Sequence, residues 1–234
     1  MIVSHRHKFI FLKTRKTAGT SIELALRKFC GPDDIIAPIG KTEERRQQAL
    51  NYNGRSSQNW RVHGWWQSPR PLLKRYWFRV NPGDYGFYNH IPAPQARALL
   101  NDDKVWQSYF KFAFERNPWD RQVSAYHFRY RDTKNPPLFS AYMRRPRRAW
   151  INNYEIYSID GEPCVDFIGR FESLEQDLRH ALSQVGIKFE TELPRAKTAF
   201  RPHAKPYREY YDRDTRAIVG DWYKREIELL GYEF

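Results

Sequence analysis

The chain has 234 residues, 41% hydrophobic and 16% aromatic, enough for one well-packed core, and a single domain with insertions is expected. Its 40 Lys and Arg against 27 Asp and Glu leave a net charge of +13, which draws anionic ligands without naming one. No apolar stretch nears the roughly 20 residues that span a bilayer.

In chain order, Lys8 to Leu12 is an apolar run of strand length, followed by a polar turn from Lys13 to Ala18. From Gly19 to Phe29 the apolar residues fit one helical face, and Gly31-Pro32 stops it. Residues 31–88 read as an irregular insertion, charged at first, then rich in aromatic and basic residues, with one or two short helices and no core of its own. Ala93 to Leu100 is a short helix, and Tyr109 to Phe114 a second strand of the main sheet.

Asn117-Pro118 begins a helix, with Asn as cap, Pro at the first position and Asp120 at the third. Val123, Tyr126, His127 and Tyr130 fall on its inner side. Arg131 to Arg148 is a basic, proline-broken surface loop with one helical turn. Asp166 to Phe171 is a third strand, Leu174 to Val185 an amphipathic helix, Arg195 to Lys205 a basic loop, and Thr215 to Leu230 a closing helix. Strands alternating with helices predict an α/β fold, three layers around a mainly parallel sheet.

Cys30 and Cys164 are far apart and lack metal spacing; two buried thiols in a reducing compartment are expected, a long-range disulfide being the alternative. The first residues lack the apolar core of a signal peptide, which points to a cytosolic protein or a catalytic fragment of a longer one.

Two strand-to-helix corners carry the chemistry. The first, Lys13-Thr-Arg-Lys-Thr-Ala-Gly-Thr-Ser21, has a lysine, hydroxyls and a glycine where backbone N–H groups can face a phosphate. A nucleotide P-loop runs Gly-x4-Gly-Lys-Ser/Thr, whereas here Lys16 precedes Gly19, so that match fails. The second, Glu115-Arg-Asn-Pro-Trp-Asp-Arg-Gln-Val-Ser124, offers Arg116 as a fork of charged donors and Ser124 as a neutral one. Two phosphate sites imply a ligand with two separate phosphate groups.

These motifs resemble those of sulfotransferases that use 3′-phosphoadenosine 5′-phosphosulfate (PAPS), the carbohydrate-type family 2 in particular. The first is similar to that family's 5′-phosphosulfate loop, although Arg15 stands where Pro is usual. The second is similar to its 3′-phosphate motif, Arg-Asn-Pro-x-Asp-Arg-x-x-Ser. The resemblance implies a P-loop-like sulfotransferase fold and a PAPS site of Arg15, Lys16, Thr17, Ala18, Gly19, Thr20, Ser21, Arg116 and Ser124. Arg201 and Lys205 join that site from a late basic loop, and Asp120 and Arg121 brace the helix. PAP is the product, and no metal is required.

Asn89-His-Ile-Pro-Ala-Pro-Gln-Ala-Arg97 is similar to a His-x-Pro-Ala-x-Glu-x-Arg stretch of these enzymes, with Gln95 in place of Glu. It makes His90 the expected base, with Lys16 as the other catalytic residue on the bridging oxygen. His63 and His127 are fallback bases. The aromatic and basic stretch between 60 and 88 suits a glycan or another hydroxylated acceptor, an acidic one included. The rival readings are a P-loop nucleotide kinase, which needs Mg²⁺, and a non-catalytic nucleic-acid binder, whose affinity collapses with salt. The resemblance favours neither.

Overall fold

A computed structural model gives the fold for residues 1–40, 54–61, 86–190, 193 and 205–234. The main sheet has strands β1 (Ile2–Ser4), β2 (Phe9–Leu12), β3 (Ile35–Ile36), β4 (Phe110–Glu115) and β7 (Phe167–Arg170), in the order β3-β1-β2-β4-β7. β2 pairs with β4, and β4 with β7, in parallel; β1 runs antiparallel to both β2 and β3. Four of the five strands therefore point the same way, and the expected α/β fold with a mainly parallel sheet is present. β5 (Ser158–Ile159) and β6 (Glu162–Pro163) form a separate ribbon.

The helices are α1 (Gly19–Arg27), α2 (Ala93–Leu100), α3 (Asp103–Ser108), α4 (Pro118–Arg129), α5 (Phe139–Met143), α6 (Pro146–Ala149), α7 (Leu174–Ser183), α8 (Arg213–Trp222) and α9 (Lys224–Leu230). Alternation along the strands sets the layers. Phe9, Phe11, Phe112 and Phe114 meet Ile22 and Leu26 of α1 and Leu178 and Leu182 of α7 on one face. Ile10, Leu12 and Ala113 meet Ala93 and Ala96 of α2 and Trp106 of α3 on the other. Each fully buried Phe contributes roughly 1.5–3 kcal/mol. Gly169 in β7 is required, because any Cβ there would strike the Phe114 ring. A third cluster joins Val123 and Tyr126 of α4 to Tyr142, Met143, Val219 and Tyr223.

Several expectations change. A strand that the sequence reading does not contain, β1, precedes β2 and pairs back on it. The closing helix is two helices, broken at Tyr223. There the Tyr223 ring lies 4.3 Å from the Arg121 guanidinium and its hydroxyl accepts from Ile151 N at 2.9 Å, so tertiary contacts override helical periodicity. The loop 131–148 contains α5 and α6 rather than one turn. Part of the 31–88 insertion supplies edge strand β3, and Phe87 is buried in the core; the stretch 62–85, with His63 and most of the aromatics, lies outside the described residues. Both cysteines are free thiols; Cys30 is buried as expected, whereas Cys164 is only half-buried. Among the described residues no helix is long and apolar enough to cross a membrane.

Candidate active site

In the parallel pairing of β2 with β4, Leu12 lies opposite Ala113, so the two strands deliver their following loops to one edge of the sheet. The Lys13–Ala18 loop is tightly wound: Lys16 (φ 65°) and Ala18 (φ 59°) both adopt the left-handed region, which costs non-glycine residues energy and needs outside support. That support comes from three directions. Thr14 Oγ1 donates to the Phe114 carbonyl on β4. Asn153 brackets Arg15, its Oδ1 accepting from Arg15 N at 2.8 Å and its Nδ2 donating to Arg15 O at 3.0 Å. The Arg15 guanidinium donates to the Asn152 carbonyl at 3.0 Å.

Not every hydroxyl of the loop faces outward. A carbonyl only accepts, so the Thr14 proton goes to Phe114, and Thr17 must donate to Thr14 Oγ1 across 2.7 Å. Thr17 is fully buried, and its hydroxyl proton is spent inside the loop. Thr20 and Ser21 are half-buried on the first turn of α1. A Cβ on Gly19 would come within 2.8 Å of Lys13 Cγ and 3.2 Å of the Thr14 carbonyl, so this close packing demands glycine.

The two corners differ at their helix starts. α1 follows Ala18 without a side-chain cap or an acid in its first turn, so its positive dipole end faces an anion unopposed, while Ser21 N donates to the Ala18 carbonyl at 2.8 Å. α4 is capped by the Asn117 side chain, which accepts from Trp119 N and Asp120 N, and Asp120 adds negative charge there. The side-chain cap thus distinguishes the two corners: α4 has one and α1 does not. An anion at the α4 corner must be held by side chains.

Arg116 is the cation at that corner. Its Nε and Nη2 reach Asp120 at 2.8 and 2.6 Å, and the guanidinium lies 3.9 Å above the Phe171 ring. Its Nη1 donates to the Lys16 carbonyl at 3.4 Å, which ties the two motifs together. Lys16 Nζ sits 3.9 Å from the centre of the Phe128 ring, one helical turn beyond the half-buried Ser124. Behind this wall Arg121 is fully buried between Glu115 at 2.6 Å and Glu226 at 3.3 Å, bracing β4, α4 and α9 together.

His90 joins the site from the residues before α2. Its Nδ1 lies 2.9 Å from the Lys13 carbonyl, which can only accept, so Nδ1 carries the proton and Nε2 keeps its lone pair. Burial, then the charge of Lys13, push the His90 pKa down to about 3, against the opposing pull of that hydrogen bond. The imidazole is therefore neutral at ordinary pH. Gln95, which replaces the usual Glu, accepts instead from the Tyr88 hydroxyl at 2.6 Å. The group that orients His90 is a main-chain carbonyl.

Lys13 itself is buried, with Nζ 2.8 Å from Glu23 of α1, while Arg27 reaches the other oxygen of Glu23 at 3.0 Å. Burial opposes ionisation of Glu23, but Lys13 and Arg27 are among the cations that overcome it and hold its pKa near about 2. Sequence reasoning missed this pair, as it missed Asn153 and Phe128. Only a lysine straight after a buried strand and a glutamate on the apolar side of a helix hinted at the pair. Of the remaining expected residues, Arg201 lies outside the described residues, and Lys205 is exposed two residues before Tyr207, whose hydroxyl accepts from Asn117 Nδ2 at 3.5 Å. The fallback base His127 is engaged by the Tyr210 hydroxyl at 2.9 Å.

The profile of the Sulfotransferase family matches residues 1–233. The chain belongs to the sulfotransferase family. It is 26% identical to carbohydrate sulfotransferase 14 of Danio rerio over 161 residues, 55% of this chain and 42% of that protein. It is 32% identical to an uncharacterised protein of Archaeoglobus fulgidus over 96 residues, 38% of this chain and 78% of that one. A crystal structure of a sulfotransferase from Alicyclobacillus acidocaldarius aligns over 97% of this chain and 96% of its own, at 16% identity and a TM-score of 0.46. Family membership makes the chain a sulfotransferase enzyme.

Proposed function

We propose that the chain transfers the sulfuryl group of PAPS to a hydroxyl or amine of a carbohydrate acceptor. The observation that carries this reading is the hydrogen bond from Arg116 to the Lys16 carbonyl, because it brings two phosphate-type corners to one place. The chemical fit is specific. The uncapped start of α1, with Lys16, Gly19, Thr20 and Ser21, suits the 5′-phosphosulfate end; Arg116 and Ser124 suit the 3′-phosphate. Arg15 is a brace for the loop, and Thr17 contributes its backbone rather than its hydroxyl.

In the proposed reaction the acceptor oxygen bonds to sulfur as the bond from sulfur to the bridging oxygen of the 5′-phosphate breaks. His90 Nε2 takes the acceptor proton, its tautomer already set by the Lys13 carbonyl. Lys16 turns from Phe128 to meet the charge growing on the bridging oxygen, which leaves with PAP. Positioning and fixed positive charge are the catalytic means, as in phosphoryl transfer.

Transfer from radiolabelled PAPS to a glycan acceptor tests the reading, beside melting curves with PAP and with ATP. PAP should stabilise the protein, ATP should not, and His90→Ala should keep the PAP shift while losing turnover by roughly a hundredfold or more. Label transfer from ATP instead, or full turnover in His90→Ala, contradicts it.

A further inference from the structure

The segment from Arg129 to Ile151 leaves the Lys16 loop and returns to it. At its first end, the Phe128 ring lies 3.9 Å from Lys16 Nζ and 4.4 Å from the Arg131 guanidinium. At its last end, Asn152 and Asn153 hold Arg15 through the three hydrogen bonds already described. Between these anchors, Phe139, Tyr142 and Met143 of α5 and Ala149 of α6 are buried against α4 and α8, so the excursion is fixed to the scaffold.

Its outer side is strongly basic. The sequence from 129 to 151 carries seven Arg and Lys and one acid, Asp132. Lys134, Arg144, Arg145 and Arg147 are exposed. The ion pairs there, Arg131–Asp132 at 3.1 Å and Arg144–Asp214 at 3.4 Å, are surface pairs that an incoming anion displaces cheaply. Trp150 is 55% exposed, two residues before the Asn152 that holds Arg15. A large indole kept in solvent beside a transfer loop offers a flat face for a sugar ring.

We propose that this excursion is the acceptor-docking surface and that its occupant is an acidic polysaccharide. The inference rests on reading the Lys16 loop as a sulfuryl-transfer site, and it deepens that reading by assigning the surface and the residues on which the acceptor docks. Repeated carboxylates along such a chain meet Arg145, Arg147 and Arg131 as charge-assisted pairs, Trp150 stacks on a ring, and the chain is led toward Lys16. Charge complementarity selects the polyanion; the exposed indole and the need for a free hydroxyl at Lys16 select a glycan.

The test uses unsulfated chondroitin as the acidic glycan, dextran as a neutral one and a thymidine oligonucleotide as a polyanion whose charges are phosphates rather than ring carboxylates. Affinity is measured for the wild type, for Arg145→Ser/Arg147→Ser and for Trp150→Ala, with PAP-induced melting shifts recorded on each. Chondroitin should bind the wild type in preference to both controls. The double variant should weaken it by about tenfold or more, Trp150→Ala should weaken it severalfold at high salt too, and the PAP shift should stay unchanged throughout. Chondroitin affinity indifferent to these substitutions overturns the docking surface, as does tighter binding of the oligonucleotide through the same residues. A wild type that ignores PAP sinks the transfer reading and the acceptor role with it; a PAP-responsive protein with unaltered chondroitin binding sinks the surface alone.

Discussion

Arg116 Nη1 donates to the main-chain carbonyl of Lys16 across 3.4 Å, joining residues a hundred positions apart. The parallel pairing of β2 with β4 makes this contact, since it brings the ends of both strands to the same edge. Arg116 also holds Asp120 with its other donors, so one planar fork connects the Lys16 loop to the start of α4.

Replacing that fork by a point charge separates shape from charge. Arg116→Lys keeps the cation but cannot hold Asp120 and the Lys16 carbonyl at once. PAP affinity should fall about tenfold and stability by about 1 kcal/mol, read by calorimetric titration and urea unfolding. Wild-type affinity in this variant would mean that charge alone is used at the α4 corner.

Gly19→Ala tests the packing of the Lys16 loop. The new methyl lands 2.8 Å from Lys13 Cγ, a side chain that cannot swing aside because its ammonium is tied to Glu23. The loop must therefore move, at a cost of about 1–3 kcal/mol, and PAP binding should weaken by about tenfold or more. A variant with unchanged melting temperature and unchanged PAP affinity would show that Lys13 is not held as described.

The Lys13–Glu23 pair is a structural commitment rather than a gain. Lys13→Met leaves the buried Glu23 carboxylate with Arg27 but without its nearest partner, and should cost about 3 kcal/mol in urea unfolding. Changing Glu23→Gln alongside it should recover most of that loss. Because the Lys13 carbonyl orients His90, nitrogen NMR of the imidazole should show the Nδ1–H tautomer in the wild type and in the double variant. An Nε2–H signal in the wild type would contradict the hydrogen bond that defines the base.

His90 also leaves a mark on stability against pH. Its folded pKa is down to about 3, while an unfolded histidine titrates near about 6.5. Between those values the unfolded chain holds the extra proton, so stability falls as pH falls, by at most about 1.4 kcal/mol per pH unit, and is unaffected above the window. His90→Gln removes this component. Unfolding at about pH 5 and about pH 7 should show the smaller drop in the variant; equal drops would mean that His90 is charged in the fold.

What the sequence makes legible follows from locality. β2, β4 and β7 are apolar runs bounded by turns, α2 has its predicted limits, and α4 announces itself through Asn117, Pro118 and Asp120. β1 and β3 are three and two residues long, too short for any periodic signal, and exist because neighbours supply their hydrogen bonds. The break at Tyr223 is a tertiary choice made by Arg121 and Ile151. In the site, Lys16, Gly19, Arg116 and Ser124 stand in motifs whose spacing has a physical reason. The grip of Asn153 on Arg15 spans 138 positions and leaves no local trace, and a lysine as deeply buried as Lys13 runs against its usual place in solvent.

The proposed transfer requires one ligand to be held at two phosphates by the two corners. Calorimetric titration of PAP, 5′-AMP and 3′-AMP against the wild type and Arg116→Ala tests it most directly. PAP should bind the wild type far more tightly than either monophosphate, and Arg116→Ala should bind PAP no better than 5′-AMP. Equal affinity of the wild type for PAP and 5′-AMP, or an Arg116→Ala variant that still prefers PAP, would contradict it.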